Sequence, residues 1–187
     1  MHDGEPTPIA ALLAAYRPRT AAEAVDVDRV RAVVAAGDPW ARTLPLHVTA
    51  SALVVHPPTG RVLLRWHARQ RAWLQIGGHG DPGERAPVAV ALREGREETG
   101  LDDLVCWPDA TLRQVVVVPV AAGAHEPAHE HADLRFVLAT GTPDRARPEN
   151  PAAELRWLSL AEAHDTVTEA NLRDLLGRVG ELLDRTP

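Results

Sequence analysis

The apolar residues of this chain change their spacing along its length. Up to about residue 45 they fall at helical intervals. Thr7 followed by Pro8 supplies an N-cap and a first helical residue for a short helix ending near Tyr16. Thr20-Ala-Ala-Glu23 is a capping-box pattern, and Val27, Val30 and Val34 come next at helical spacing up to Gly37-Asp38-Pro39. A helical N-terminal extension is expected over residues 1–45, leading into a main domain over 46–187.

From His47 the period changes to that of strands. HVTASALVVH, the turn Pro57-Pro58-Thr59-Gly60 and RVLLRWH predict a hairpin. Trp73-Leu-Gln-Ile76 predicts a short strand that delivers the chain into the glycine-rich loop GGHGDPGER. In the helix after that loop, Val88, Ala91, Leu92 and Gly95 mark the face turned to the core, leaving an acidic side outward. Further strands are expected at 104–107, 113–121 and around 134–139. Residues 121–132 and 141–153, rich in Gly, Pro, His and Glu, read as loops. Ser159-Leu-Ala-Glu162 is a second capping box, and Leu172, Leu175, Leu176, Val179 and Leu183 form the stripe of a C-terminal helix. Strands on both sides of a central helix, with another helix at the end, predict an α/β sandwich around one mixed sheet.

The helix after the glycine loop carries Glu94, Glu97 and Glu98 at i, i+3 and i+4, so their side chains share a face about 5–6 Å apart at Cβ. Like charges so placed cost about 0.2–0.5 kcal/mol per pair. A divalent cation would turn that repulsion into ligation, and oxygen-only ligands suit the hard ions Mg²⁺ or Mn²⁺. The alternative is a solvated acidic face on which Arg93 pairs with Glu97.

The stretch resembles the signature of the Nudix hydrolases, G-x5-E-x7-R-E-U-x-E-E-x-G-U, where U is a bulky aliphatic residue. Gly78 matches the first glycine, Glu84 the first glutamate, Arg93-Glu94 the R-E pair, Glu97-Glu98 the E-E pair and Gly100-Leu101 the end. Eight residues, 85–92, stand between Glu84 and Arg93 where the pattern has seven. Gly95 occupies the usually aliphatic position at a helix-propensity cost of about 1 kcal/mol relative to alanine. An extra residue inside the helix would rotate all later positions by about 100°. Pro87 is suited to the first helical position, so the insertion is expected in the loop, with the three helical glutamates in register and the distance of Glu84 from the metals left open. The resemblance implies a Nudix-type α/β/α sandwich that hydrolyses a phosphoanhydride in a nucleoside-diphosphate-linked or related small diphosphate, with Mg²⁺ or Mn²⁺. It also implies roles: Glu94 and Glu98 as metal ligands, Glu97 sharing a metal or helping to activate water, the Gly78 carbonyl as a further ligand, Arg93 orienting the glutamates, and Glu84 as a remaining box carboxylate.

Composition narrows the partners. A formal charge of -6 and a pI near 5.8 oppose binding to nucleic-acid polymers or anionic membranes. All 20 basic residues are arginine, which weakens arginine count as a sign of phosphate binding. The single cysteine, Cys106, excludes an intrachain disulfide and a multi-thiolate zinc site. The opening MHDGEP has no basic region ahead of an apolar one, and no apolar run of about eighteen residues occurs, so a soluble cytoplasmic protein is expected. The extension is suited either to support a homodimer or to cap the cleft.

Other candidates lie outside the box. In an extended HEHADLRF segment, His129, His131, Asp133 and Arg135 share one face while Leu134 and Phe136 take the other. The run resembles one in a subset of Nudix proteins with a helical extension. It either lines the cleft or forms an edge with an Asp133–Arg135 pair. A histidine-only zinc site would need a third ligand that the segment lacks. His79 in the loop is a candidate for substrate contact. Arg65, His67, Arg69 and Arg71 around Trp66 could bind phosphate or form a basic hairpin rim. Glu154 reads as surface charge or a remote base, and Cys106 as a small core residue. Two rival functions are a ligand-sensing Nudix domain without catalysis and an isopentenyl-type diphosphate isomerase, which would need Cys106 at the site.

Overall fold

The computed structural model describes residues 7–123 and 126–185; the MHDGEP segment lies outside them. Helices α1 (Pro8–Ala15) and α2 (Ala21–Ala36) form the extension. They are followed by β1 (Leu46–His56), β2 (Arg61–His67), β3 (Ala72–Leu74), β4 (Ile76–His79), α3 (Pro87–Thr99), β5 (Val105–Cys106), β6 (Gln114–Val120), β7 (His129–Ala139), β8 (Leu155–Ser159), α4 (Leu160–Thr166) and α5 (Ala170–Leu183). The elements expected from periodicity are present, with four differences: the strand expected over 73–76 is split at Gln75 into β3, paired with β2, and β4, paired with β1; β8 adds a strand beyond those expected; and two more concern β7 and the Thr20 box. β7 begins at His129, inside a stretch read as loop, because its polar positions alternate with Ala132, Leu134 and Phe136, all buried. The Thr20 capping box is half made: the Thr20 hydroxyl accepts from the Glu23 amide, but the Glu23 carboxylate is drawn into the core instead.

The strands form one mixed sheet. β1 runs parallel to β7 along nearly its whole length, and on its other edge pairs antiparallel first with β4 (residues 49–52) and then with β2 (residues 54–56). That edge therefore forks. β2 continues away to β3 and β8, and a cleft opens between its far end and β4. Because β1 and β7 are covered on both faces, their residues are buried almost throughout.

Two apolar layers sandwich the sheet. Val48, Ala50, Ala52 and Val54 pack with Ile9, Leu13, Val27, Val30, Val90 and Ala91 beneath α1, α2 and α3. Leu53, Val55 and Val137 pack with Leu172, Leu175 and Val179 of α5. The extension shares the main core, and a buried polar knot fastens it. Arg178 of α5 donates to Glu23 through both terminal nitrogens (3.0 and 2.9 Å), to the Tyr16 hydroxyl and to the Arg113 carbonyl (2.6 Å), while Tyr16 donates to Glu23.

Pro87 occupies the first turn of α3, after Ala86 as N-cap, and the extra box residue falls in the loop as expected. Gly95 faces the sheet: a Cβ there would stand 2.9 Å from Leu104 Cδ1, 3.1 Å from Ile76 Cδ1 and 3.3 Å from Leu138 Cδ1. The helix-propensity cost is thus offset by close approach of α3 to β4 and β7. Gly95→Val is expected to overpack this contact and lower unfolding free energy by about 1–3 kcal/mol, checked by chemical denaturation.

Candidate active site

The face of the sheet that carries α5 changes character along the strands. Toward one end Leu53, Val55, Val137 and Ala139 are apolar and covered. Toward the other the same alternating positions hold His47, Thr49 and Ser51 on β1 and His131, Asp133 and Arg135 on β7, brought side by side by the parallel register. All but His47 line a cleft of about 660 Å³. Asp133 accepts from Thr49 Oγ1 (3.2 Å), Ser51 Oγ (2.8 Å), Gln75 Nε2 (3.2 Å) and Arg135 Nε (2.7 Å). Arg135 Nη1 donates to Gln114 Oε1 (3.0 Å) and to Asn171 Oδ1 (2.9 Å). With both charges buried and multiply bonded, this floor is rigid.

Glu98 of α3 reaches one wall of the cleft across β4. Gly77 has φ 143°, and a Cβ on it would lie 2.4 Å from Ser51 Cα, so only glycine allows β4 to approach β1 this closely. A Cβ at Gly78 would stand 2.6 Å from Glu94 Oε1, so the bare backbone of Gly78 cradles that carboxylate. The outward-facing acidic side expected from sequence needs correction. Glu98 is buried, accepting from the Gly77 amide (3.0 Å) and pairing with Arg65 (3.2 Å); Glu94 is half-buried; only Glu97 is exposed. Burial pushes the Glu98 carboxyl up to about 7, a rise that Arg65 and the Gly77 amide oppose without cancelling and that Glu94 reinforces. Burial likewise raises Glu94 against the pull of Arg93. A second cationic charge between these oxygens would relieve both, so the donor set fits a hard divalent cation.

Arg93 organises the remaining carboxylates. It donates to Glu84 (3.0 Å), Glu94 (3.1 Å), Glu97 (2.9 Å) and the carbonyl of His79 (2.8 Å). Glu84 also accepts from the Asp81 amide (2.8 Å), and the Arg93 hydrogen bonds hold its carboxyl below the usual range. Glu84 is therefore tied to Arg93 and the loop.

Four imidazoles meet at the mouth of the cleft. His47 Nε2 lies 3.1 Å from His79 Nε2, and His129 Nε2 lies 3.1 Å from His131 Nε2. Ring centroids of His47, His79 and His131 are 4.8–5.2 Å apart. Burial pushes His131 down to about 3 and His79 down to about 4, and lowers His47, with neighbouring cationic groups adding to each. His79 and His131 are therefore neutral at neutral pH.

The NUDIX domain profile matches residues 45–178. The chain belongs to the Nudix family. No curated protein sequence matches it. Among solved structures it is similar to a C. elegans Ap4A hydrolase binary complex (TM-score 0.59, 19% identity, 74% of this chain and 98% of the other). It is also similar to the E. coli dihydroneopterin triphosphate pyrophosphohydrolase (TM-score 0.53, 18% identity, 76% and 97%). At these identities the likeness is one of fold, the α/β/α sandwich of the Nudix domain. The enzyme class follows from the family: a Nudix pyrophosphohydrolase.

Within this Nudix domain, Arg65, Gly78, His79, Glu98, His131 and Arg135 line the cleft, whereas Arg93, Glu94, Glu97 and His129 are not among its lining residues and Glu84 lines a second pocket beside Trp40 and Arg42. His67 and Arg69 also line the cleft, whereas Arg71 is not among its lining residues. The HEHADLRF strand lines the cleft and forms the Asp133–Arg135 pair, but it is not the edge that the alternative reading expected, because β1 and β6 pair with it on either side. Glu154 pairs with Arg156 on the surface (2.8 Å). Cys106 on β5 packs against the core and is absent from the cleft lining, so the isomerase reading lacks its acid. Sequence reasoning passed over His47, Thr49, Ser51, Gln75 and Asn171. The signal for the first three was present: HVTASALVVH is polar at alternate positions over its first half, matching the alternation in HEHADLRF. No helix among the described residues is long and apolar enough to cross a membrane.

Proposed function

We propose that this Nudix enzyme hydrolyses the phosphoanhydride of a small nucleoside-diphosphate-linked or related diphosphate, using a divalent cation held by Glu94 and Glu98. The observation that carries the reading is the buried Glu98, held by the Gly77 amide at the wall of a polar cleft, with the half-buried Glu94 carboxylate against Gly78 on the same helix. Glu94 and Glu98, with Glu97 and the Gly78 carbonyl in support, would hold Mg²⁺ or Mn²⁺. When bound, the cation neutralises phosphate oxygens and acidifies an attacking water.

The chain's own groups supply the rest. Arg93 fixes Glu94 and Glu97 in relative position through charge-assisted bonds from one planar guanidinium. Glu97, exposed and held by Arg93, would share the cation or help to activate water. Arg65 holds Glu98 from the opposite bank of the fork and, with Arg69, gives the cleft positive charge for phosphate. The floor of Asp133, Arg135, Thr49 and Ser51 offers fixed donors and acceptors for the non-phosphate part of the substrate. The substrates named for the two structural relatives are polyphosphates attached to a nucleoside or a pterin, which agrees with this class.

The test is a panel of nucleotide and isoprenoid diphosphates incubated with Mg²⁺, read by phosphate or nucleotide release. Cleavage of a nucleoside-linked member is expected. If one binds tightly and none is cleaved, the ligand-sensing alternative replaces this reading.

A further inference from the structure

We propose that His47, His79 and His131 form a second metal site, for a transition dication of the Zn²⁺ class, separate from the carboxylate site on α3. Their ligating nitrogens lie within 4.8 Å of one another. Three different strands supply them, β1, β4 and β7, so the convergence is a product of the fold and not of one local sequence. His47 sits directly opposite His131 in the parallel register, and His79 opposite Thr49 brings the third ring over the same point.

One edge of the cluster already has the length found in an occupied site. The corners of a tetrahedron about 2.0–2.1 Å from its centre are about 3.3 Å apart, and the His47–His79 nitrogens stand at 3.1 Å. His47 Nδ1 lies 3.1 Å from the Leu44 carbonyl, which only accepts, so Nδ1 carries the proton and the Nε2 lone pair faces the cluster. His129 has the same arrangement, with Nδ1 2.9 Å from the Pro127 carbonyl and Nε2 turned to His131. A carbonyl on the far nitrogen of a ligating histidine is the usual supporting contact, fixing tautomer and ring orientation. His129 is then the nearest fourth nitrogen. Without an ion the His47 Nε2 lone pair can accept from His79 Nε2–H at 3.1 Å; a borderline-soft dication would replace that hydrogen bond with ligation by both rings.

The two sites differ in chemistry and are linked in structure. Carboxylate oxygens at Glu94 and Glu98 suit Mg²⁺ or Mn²⁺, while neutral nitrogens suit zinc, nickel or copper. The His79 carbonyl accepts from Arg93, and Gly78 next to it cradles Glu94. An ion at the histidines would therefore pin the end of β4 that sets the carboxylate site.

The experiment is metal analysis of the full chain after loading with Zn²⁺ and removal of free metal on a chelating resin. About one zinc per chain is expected for the wild type and for Glu94→Gln with Glu98→Gln, and less than about a tenth for His47→Ala with His131→Ala. In case that histidine variant does not fold, Co²⁺ is added to the wild type. The intense visible absorption of a tetrahedral nitrogen-ligated ion, abolished by Zn²⁺ and not by Mg²⁺, is expected. Zinc-free wild type with no cobalt spectrum, or zinc lost with the glutamates and kept without the histidines, would overturn the proposal.

Discussion

Glu97→Gln with Glu98→Gln is expected to lower turnover at least about a hundredfold while the fold is retained. Glutamine keeps the volume of both side chains, and its carbonyl oxygen can still accept from the Gly77 amide that now bonds Glu98. What it removes is charge. Arg65 keeps Glu149 at 3.7 Å as a partner, so the buried guanidinium is not stranded. The loss should therefore fall on kcat and on cation affinity, with thermal unfolding little changed. Turnover measured on the best substrate of the panel decides it, and an unaltered kcat would remove the glutamates from the mechanism.

Glu23→Gln is expected to destabilise the whole protein by about 3 kcal/mol, because removing one charge of a buried pair leaves the other uncompensated. For a chain of this size that corresponds to a melting temperature roughly 6–12 °C lower. Arg178 is almost wholly buried, and besides Glu23 its remaining carboxylate is the half-exposed Asp174. The same pair predicts acid sensitivity. Burial alone would raise the Glu23 carboxyl, but bonds from Arg178, Tyr16 and two backbone amides outweigh it and hold the group below its ordinary value. A carboxyl depressed in the folded state contributes stability above its unfolded pKa of about 4.3 and loses it as pH falls through the folded value. Denaturant midpoints should therefore drop more steeply below about pH 4.3 in the wild type than in the variant. Equal midpoints for the two proteins at neutral pH would show that the knot does not hold the extension.

The spacing of glycines, glutamates and Pro87 made the box and its register legible, because helix geometry converts sequence separation directly into a shared face. Burial was less legible. Glu98 reads as an exposed acidic residue, and only the close approach allowed by Gly77 and Gly95 puts it under β4. The same limit hid the histidine cluster: His129 and His131 were visible as neighbours on one strand, but His47 and His79 lie 84 and 52 residues before His131 and meet it through parallel and antiparallel register that no local pattern encodes. Arg178 was hidden in an apolar stripe for a related reason, since its partners Tyr16 and Glu23 belong to the other end of the chain.

The central claim is that buried carboxylates on α3 hold the cation that drives phosphoanhydride hydrolysis. Product release from the best diphosphate of the panel, followed as Mg²⁺ is titrated into metal-stripped enzyme, tests it most directly. Saturable dependence on Mg²⁺ in the wild type, lost in Glu98→Gln, is the predicted result; hydrolysis that proceeds equally without a divalent cation would contradict it.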